Sequence, residues 1–490
     1  MDLQERAQLD RIFQPRGVAV FGGVHEPGKF GHMIIQSLLQ YGYPGNLFPI
    51  HPVDGEVFGL KVRPRLEDVR GPVDLAVVCV PAEHVPDVLK ACLKKGVCGA
   101  EILSSGFFET GQTQGTALQS EVLRLSKQGI RILGPNCFGI HCPKGGLTLL
   151  PAFDFSTETG PVALISQSGG VAVDFGHEAV SAGLRISKVL SFGNGCDLDA
   201  VTLLDYLDGD ADTTCIGAYL EGGERGRELL KALKRLTSRK PVILWKGGLT
   251  PLGNRAARSH TGSLGGDALI WKGLFNQTGA VPVQGLREMV DTMTALLHLK
   301  GAGPRLALVG GGGAISVHAS DLANRWHLEF PPFGPETRKK IRAWMPPPGN
   351  SVANPLDTGS PVIPLESMIG MTREILFREP VDVVLLVLLL HPMARVMPAY
   401  CKMDGLPYTG LETYLEGLLQ GILSVKARVN KEVILIMENR ANMPDDVDIE
   451  KTARRFRLTY LENGIPVYGT VEQALRALQN TLKAQRALRA

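Results

Sequence analysis

His260 lies in the run Ser259, His260, Thr261, Gly262, Ser263, where hydroxyls and a glycine flank one imidazole just ahead of an apolar stretch that reads as a helix. These residue types suit a histidine that carries a phosphoryl group. A neutral imidazole is a good nucleophile near pH 7, glycine lets the backbone approach a phosphate, and the first N–H groups of a following helix are unpaired. A histidine on a solvated loop would have the same neighbours, so the run by itself leaves both readings open. Glu221 follows the aliphatic run Cys215 to Tyr219 and precedes Gly222 and Gly223. Its carboxylate could accept from one ring nitrogen, fixing the tautomer and freeing the other to attack phosphorus, or it could be a solvated loop glutamate.

Ser166, Gln167, Ser168, Gly169 and Gly170 follow a clean strand and open an apolar helical segment. The hydrolase elbow needs a glycine two positions before the serine, which is absent here, so a helix N-terminus that binds phosphate fits better. Turns at Ser168 and around Thr261 and Gly262 could aim two helix dipoles at one phosphate. Another turn reads Gly22, Gly23, Val24, His25, Glu26, Pro27, Gly28, Lys29. It suits an anion cradle, or glycines that only turn the chain. It lacks GxGxxG, and the second strand ends at His51 and Pro52 without an acidic tip, which disfavours a nicotinamide cofactor. Ser104, Ser105, Gly106, Phe107 and Gly134, Pro135, Asn136, Cys137 mark two further strand ends, where ligand crevices form in doubly wound sheets. Gly310 to Gly313 follow a strand and Asn354 to Asp357 a Pro-rich loop, and the four glycines permit a close ligand or a domain contact equally well.

These side chains need a frame. Short aliphatic runs alternate with turn residues and amphipathic segments, the rhythm of repeated βα units, so the fold class is α/β. A length of 490 residues predicts about three domains. The first, 1–150, carries strands at Gly17 to Phe21, Asn46 to Ile50, Leu75 to Val80, Gly99 to Leu103 and Arg131 to Leu133, which fit one doubly wound parallel sheet. The second, 151–300, carries Val162 to Ile165, Ile186 to Ser191, Cys215 to Tyr219 and Val242 to Lys246. The third, 301–490, carries Arg305 to Val309, Val381 to Leu390, Glu432 to Met437 and Pro466 to Tyr468. The apolar run Val381 to Leu390 is about half of the ~20 residues a spanning helix needs, and it reads as a buried parallel strand. A net charge of +3 gives no reason to expect nucleic acid or a membrane as partner. The eight cysteines show no CxxC pair and no zinc spacing, which fits reduced thiols and no metal site. The polar start lacks a signal-peptide core, so a cytoplasmic location is expected.

The order of motifs resembles the alpha part of the nucleoside-diphosphate-forming acyl-CoA synthetases, in the succinyl-CoA synthetase superfamily. The resemblance is carried nearly end to end by PGKFG at Pro27 to Gly31, SSGFFETG at Ser104 to Gly111, RILGPNCFGI at Arg131 to Ile140 and ISQSGG at Ile165 to Gly170. SFGNGCDLD at Ser191 to Asp199, YLEGG at Tyr219 to Gly223, KPVILWKGG at Lys240 to Gly248 and SHTGS at Ser259 to Ser263 complete it. It implies a Rossmann-like domain that binds CoA through Gly22, Gly23, Val24, Lys29, Ser104, Ser105, Gly106 and Asn136, followed by two flavodoxin-like ligase domains. It also implies that His260 is phosphorylated in turnover, that Glu221 steadies the phosphohistidine, and that Ser168, Gly169, Gly170, Thr261 and Gly262 hold phosphate. The implied reaction is ADP-forming, with CoA and a small carboxylic acid as substrates. The family's nucleotide site lies in an ATP-grasp module for which no segment is left, so a separate beta subunit bringing ADP or ATP and Mg2+ is expected, in a hetero-oligomer. The chain departs from the family at Val24, usually serine, and at His51 and Val53, where an NPK turn is usual. Val173 stands where succinate ligases have a tyrosine near the substrate, which points to a less polar acyl group. Two other functions keep the same fold: a CoA-binding or acyl-CoA-sensing regulator without turnover, and a CoA-transferase or hydrolase with Glu221 as nucleophile.

Overall fold

The computed structural model describes residues 1–148, 155–223, 225–261, 266–345, 350–360, 363–403, 410–440 and 443–489, with the side chains of 257–261, 400 and 401 outside the description. The chain divides into two compact units, Met1–Met289 with Ala484–Ala490, and Val290–Lys483.

The first unit opens with α1 (Leu3–Phe13), which a capping box between Asp2 and Glu5 starts. Strands β1 (Gly17–Phe21) and β2 (Asn46–Ile50) follow, separated by α2 (Phe30–Tyr41). A short hairpin, β3 (Glu56–Val57) and β4 (Leu60–Lys61), precedes β5 (Leu75–Val78), α3 (Val85–Lys95), β6 (Gly99–Ile102), α4 (Thr113–Ser126) and β7 (Arg131–Leu133). Five of these strands form one parallel sheet in the order β2-β1-β5-β6-β7. β1 and β5 are buried along their whole length, as strands covered on both faces must be.

A second sheet collects β8 (Gly139–Cys142), β9 (Leu147–Thr148), β10 (Thr159–Ser166), β11 (Ile186–Ser191), β12 (Cys215–Leu220), β13 (Val242–Lys246) and β14 (Val281–Val283). Its order is β14-β13-β12-β10-β11-β8-β9, parallel from β10 onward, with β8 added antiparallel to β11 and β9 antiparallel to β8. Helices α5 (Gly169–Ser181), α6 (Ala200–Asp208), α7 (Gly226–Thr237), α8 (Pro251–Thr261) and α9 (Ala268–Thr278) connect its strands. Strands β8, β9 and β14 were not expected from the sequence. Thus residues before 150 supply two strands of the second sheet.

In the second unit β15 (Leu306–Gly310), β16 (Val383–Leu389), β17 (Glu432–Glu438) and β18 (Val467–Tyr468) pair in parallel in chain order. Leu356 makes a parallel bridge to Val309 on the outer side of β15, with its N–H donating to the Leu308 oxygen at 2.8 Å. With a second isolated parallel bridge, Arg305 to Glu329, it stands in for an edge strand and gives this sheet the strand order 2-1-3-4-5 that the first sheet and the parallel part of the second also follow. β16 is wholly buried: Val384, Leu386 and Leu388 face one apolar cluster, and Val383, Leu385 and Val387 face another. The run Val381 to Leu390 is thus a core strand. No helix of the described residues is long and apolar enough to cross a membrane.

Candidate active site

In a sheet of order 2-1-3-4-5 the chain reverses between its first and third strands, and the turns leaving those strands open a crevice at the carboxyl edge. In the first sheet the turn after β1 is the glycine-rich one. It is held from both sides: the Gly22 N–H donates to the Ile50 oxygen at 3.4 Å, and the His32 N–H donates to the Gly23 oxygen at 3.0 Å. Lys29 caps the start of α2 without a side-chain hydrogen bond and stays exposed. Val24, expected among the CoA-contacting residues, is fully buried, and its oxygen lies 2.9 Å from His32 Nδ1. Only its backbone faces the turn. Beside it, His51 Nδ1 accepts the Val53 N–H at 3.1 Å, and His25 packs edge-on to His51 at 5.0 Å.

Ser104, Ser105 and Gly106 follow β6, and Asn136 follows β7. The two turns touch, with the Asn136 N–H donating to the Ser104 oxygen at 3.0 Å. Glu109 organises them. Its Oε1 accepts the N–H groups of Gly106 at 2.6 Å and Phe107 at 3.1 Å, while its Oε2 accepts from Asn194 Nδ2 at 2.6 Å. Asn194 belongs to the loop after β11 of the second sheet. The same amide nitrogen donates to Gln119 Oε1 at 2.9 Å, and the Asn194 N–H donates to the Pro135 oxygen at 3.0 Å. Gly193, at φ 51°, lets this loop lie flat on the first sheet's edge, since a Cβ there would collide with the Pro135 and Asn136 oxygens. Glu109 and Asn194 have no metal-like or nucleophilic spacing to betray them in the sequence.

At the second sheet's switch point, β10 delivers Ser168 and β12 delivers Glu221. Ser168 is the N-cap of α5, its Oγ accepting the Val171 N–H at 3.4 Å, so the amides of Gly169 and Gly170 lie in the helix's unpaired first turn. Gln167 bridges the two turns, its Oε1 accepting the N–H groups of Glu221 and, at 3.0 Å, Gly222. Glu221 is 5% exposed and accepts from the Tyr219 hydroxyl at 2.9 Å. From the end of β13, buried Lys246 donates to the Glu221 backbone oxygen at 2.8 Å and lies over the Trp271 ring at 5.1 Å. Burial pushes the Lys246 ammonium down to about 8, against the pull of the Glu221 charge. Ser168, Gly169, Gly170 and Glu221 thus meet at one edge, with Lys246 as a neighbour whose position in KPVILWKGG was visible but whose role was not.

His260 and Thr261 close α8, and α9 starts at Ala268 under the Asp267 cap. The side chains of His260 and Thr261, and Gly262 altogether, lie outside the described residues. The body of α8 packs against the 108–110 turn that contains Glu109.

Crevices of this kind are where doubly wound domains take their ligands, and comparison with known proteins gives the class as CoA-dependent ligases. Residues 16–143 match the CoA-binding domain family, and residues 159–296 match the succinyl-CoA ligase like flavodoxin domain. The acetate–CoA ligase [ADP-forming] II subunit alpha of Pyrococcus furiosus is 34% identical over 350 residues, covering 71% of this chain and 76% of that protein. The 4-hydroxybutyrate–CoA ligase [ADP-forming] of Nitrosopumilus maritimus is 32% identical over 352 residues, covering 71% of this chain and 50% of that protein. A solved dinucleotide-forming acetyl-coenzyme A synthetase 1 of Ca. Korarchaeum cryptofilum, in complex with phosphate and ADP, superimposes with a TM-score of 0.82 at 30% identity over 98% of this chain and 97% of its own. The chain belongs to the ADP-forming acyl-CoA synthetase family.

Proposed function

We propose that this chain is the alpha subunit of an enzyme that converts acyl-CoA, ADP and phosphate into carboxylic acid, CoA and ATP, reversibly, through a phosphohistidine at His260. A phosphate oxygen attacks the thioester carbonyl, the C–S bond breaks and CoA leaves as the thiol, giving an acyl phosphate. An imidazole nitrogen of His260 then takes the phosphoryl group as the P–O bond to the carboxylate breaks. Transfer to ADP regenerates the histidine. Splitting one transfer in this way is the logic of covalent catalysis.

The observation that carries the reading is the meeting of the α5 N-terminus at Ser168 with Glu221 across one switch point, a place suited to a phosphate and the imidazole that receives it. CoA would lie on the first sheet's edge, along Gly22, Gly23, Lys29, Ser104, Ser105, Gly106, Asn136 and the backbone of Val24. The reading divides the chain into a CoA-binding domain, 1–150, and two ligase domains, 151–300 and 301–490. It requires an ATP-grasp beta subunit that binds the nucleotide and Mg2+, in a cytoplasmic hetero-oligomer; the naming of the Pyrococcus relative as a subunit alpha supports a partner.

The test is to incubate the chain and its candidate beta subunit with radiolabelled ATP and Mg2+. Label that is acid-labile, alkali-stable and lost in His260→Ala is the expected outcome. A folded complex that never labels the chain would sink the reading and leave a CoA-binding regulator.

A further inference from the structure

We propose that Lys246 is a positioning residue for the phosphoryl transfer, its buried ammonium supplying the countercharge that keeps the Glu221 turn and carboxylate set to receive the His260 imidazole. This rests on His260 and Glu221 being the pair that carries that step.

Lys246 closes β13 and is 5% exposed, as buried as Glu221. A buried charge is costly unless it is both hydrogen-bonded and compensated, so each of the two replaces part of the solvent the other has lost. The hydrogen bonds of the ammonium go to carbonyls, the Glu221 backbone oxygen at 2.8 Å and the Gly247 oxygen. It therefore anchors the turn through the backbone, while the Tyr219 hydroxyl serves the carboxylate at 2.9 Å from Oε1. Gly247 makes room for that hydroxyl, since a Cβ there would stand 2.7 Å from it. Gln167 accepts the Glu221 and Gly222 N–H groups. Strands β10, β12 and β13 thus each send a side chain to this one turn. The ammonium also lies over the ring of Trp271, on α9, the helix that follows the His260 run.

In the transfer a P–N bond forms on one ring nitrogen as the P–O bond of the phosphoryl donor breaks. The other ring nitrogen keeps its proton and donates it to the carboxylate. The ring gains positive charge, so the step is helped by an anion oriented in advance. A charged Lys246 steadies that anion in a site poor in water before the imidazole arrives, and an opposite charge nearby favours the charged form of each partner. Once the ammonium loses its proton the countercharge is gone. Burial sets that loss at about 8, against the pull of Glu221, the charge that acts on Lys246 among the described residues. Trp271 brings no charge, and burial holds the Tyr219 hydroxyl protonated far above its ordinary range. The transfer should therefore slow as pH rises through about 8.

The experiment uses the complex with its beta partner and follows single-turnover labelling of His260 from saturating radiolabelled ATP, from about pH 6.5 to about pH 9.5. Lys246→Gln keeps a donor for the Glu221 oxygen without the charge. It is expected to be about 10- to 100-fold slower at pH 7, the range that loss of one charged hydrogen-bonding group spans. Dividing the wild-type rate by the variant rate cancels the titration of His260 and of the partner, and this ratio should shrink about fivefold or more by the alkaline end. Lys246→Arg stays charged throughout and should abolish the alkaline fall; the ratio decides alone if that variant does not fold. A ratio constant with pH overturns the proposal, being the mark of a side chain that only braces the sheet, and so does a glutamine variant as fast as wild type. Failure of the underlying phosphohistidine reading looks different: wild type would take no label on His260 at any pH, and the role of Lys246 would fall with it.

Discussion

Glu109 makes the most informative target because its two carboxylate oxygens serve different parts of the molecule. Oε1 holds the Gly106 and Phe107 amides in the turn assigned to CoA, and Oε2 holds Asn194 from the second sheet. Hydrogen bonds to a charged group contribute about 1.5–3 kcal/mol each, and Glu109 is only half-buried, so the lower end applies. In Glu109→Ala the two turn amides lose their acceptor, and ordering them again falls on the ligand. A penalty of about 1.5–3 kcal/mol corresponds to a CoA affinity roughly 10- to 100-fold weaker. Glu109→Gln retains one acceptor for the amides and should fall between wild type and alanine. The assay is calorimetric titration of CoA into the complex, with KM for phosphate and the melting temperature measured in parallel. A merely structural role would lower the melting temperature and leave the CoA affinity alone, and a change of less than about twofold in Kd would refute the reasoning. A double-mutant cycle with Asn194→Ala checks the link between the sheets: coupling of about 1 kcal/mol is expected, and additive effects would deny it.

Two further outcomes follow from buried charge. Burial pushes the Glu101 carboxyl up to about 8 from an ordinary 4.5. Its folded form keeps the proton longer than its unfolded form, so its contribution is fully present below about pH 4.5 and is lost as pH rises through about 8. Glu101→Gln should remove that slope, gaining about 3–4 kcal/mol on wild type between pH 5 and pH 8 in urea melts, and parallel curves would refute it. Asp74 is the opposite case. Burial alone would raise it, but hydrogen bonds from the Arg16 side chain and backbone and from Arg11 hold its carboxyl far below the usual range. That stability is present above the unfolded carboxylate range and lost as pH falls below it. Both arginines are about half exposed, so Asp74→Asn should cost only about 2 kcal/mol near pH 7, and its melting temperature should approach that of wild type as the solution is acidified.

What could be read in advance followed from local chemistry. Parallel strands buried on both faces appear as aliphatic runs, and Gly17–Phe21, Ile186–Ser191 and Val242–Lys246 were located to the residue, as were the edge strands Asn46–Ile50 and Arg131–Leu133 between their turn signals. The strands that escaped lack that signature. Gly139–Cys142 is short, carries His141 and owes its strand state to antiparallel bonds with Val189 to Ser191, far away in the chain. Val281–Val283 contains Pro282, which argues against a central strand, and it is tolerated because β14 lies at the sheet's edge. The site divides in the same way. The positions of Ser168 and Glu221 at strand ends were legible in the sequence, whereas the hydrogen bonds of Glu109, Asn194 and Lys246 have partners that only the folded sheets bring near.

Asn354 makes the same point from the second unit. In sequence it stands only as a polar residue after a Pro-rich loop, and in the fold its side-chain amide donates to the Leu306 oxygen at 2.7 Å and the Pro331 oxygen at 2.8 Å and accepts the Leu308 N–H at 3.2 Å. The amide takes over hydrogen bonds that a full second strand would make along β15, where Leu356 and, at its start, Glu329 make isolated bridges. With its donors and its acceptor so engaged, Asn354 serves the sheet, and the chain-reversing strand order survives with isolated bridges in place of a strand. The same economy operates at Gly193. A loop can join two sheet edges only where its backbone, unencumbered by a Cβ, can reach the Pro135 and Asn136 carbonyls, and that approach is what puts Asn194 within reach of Glu109.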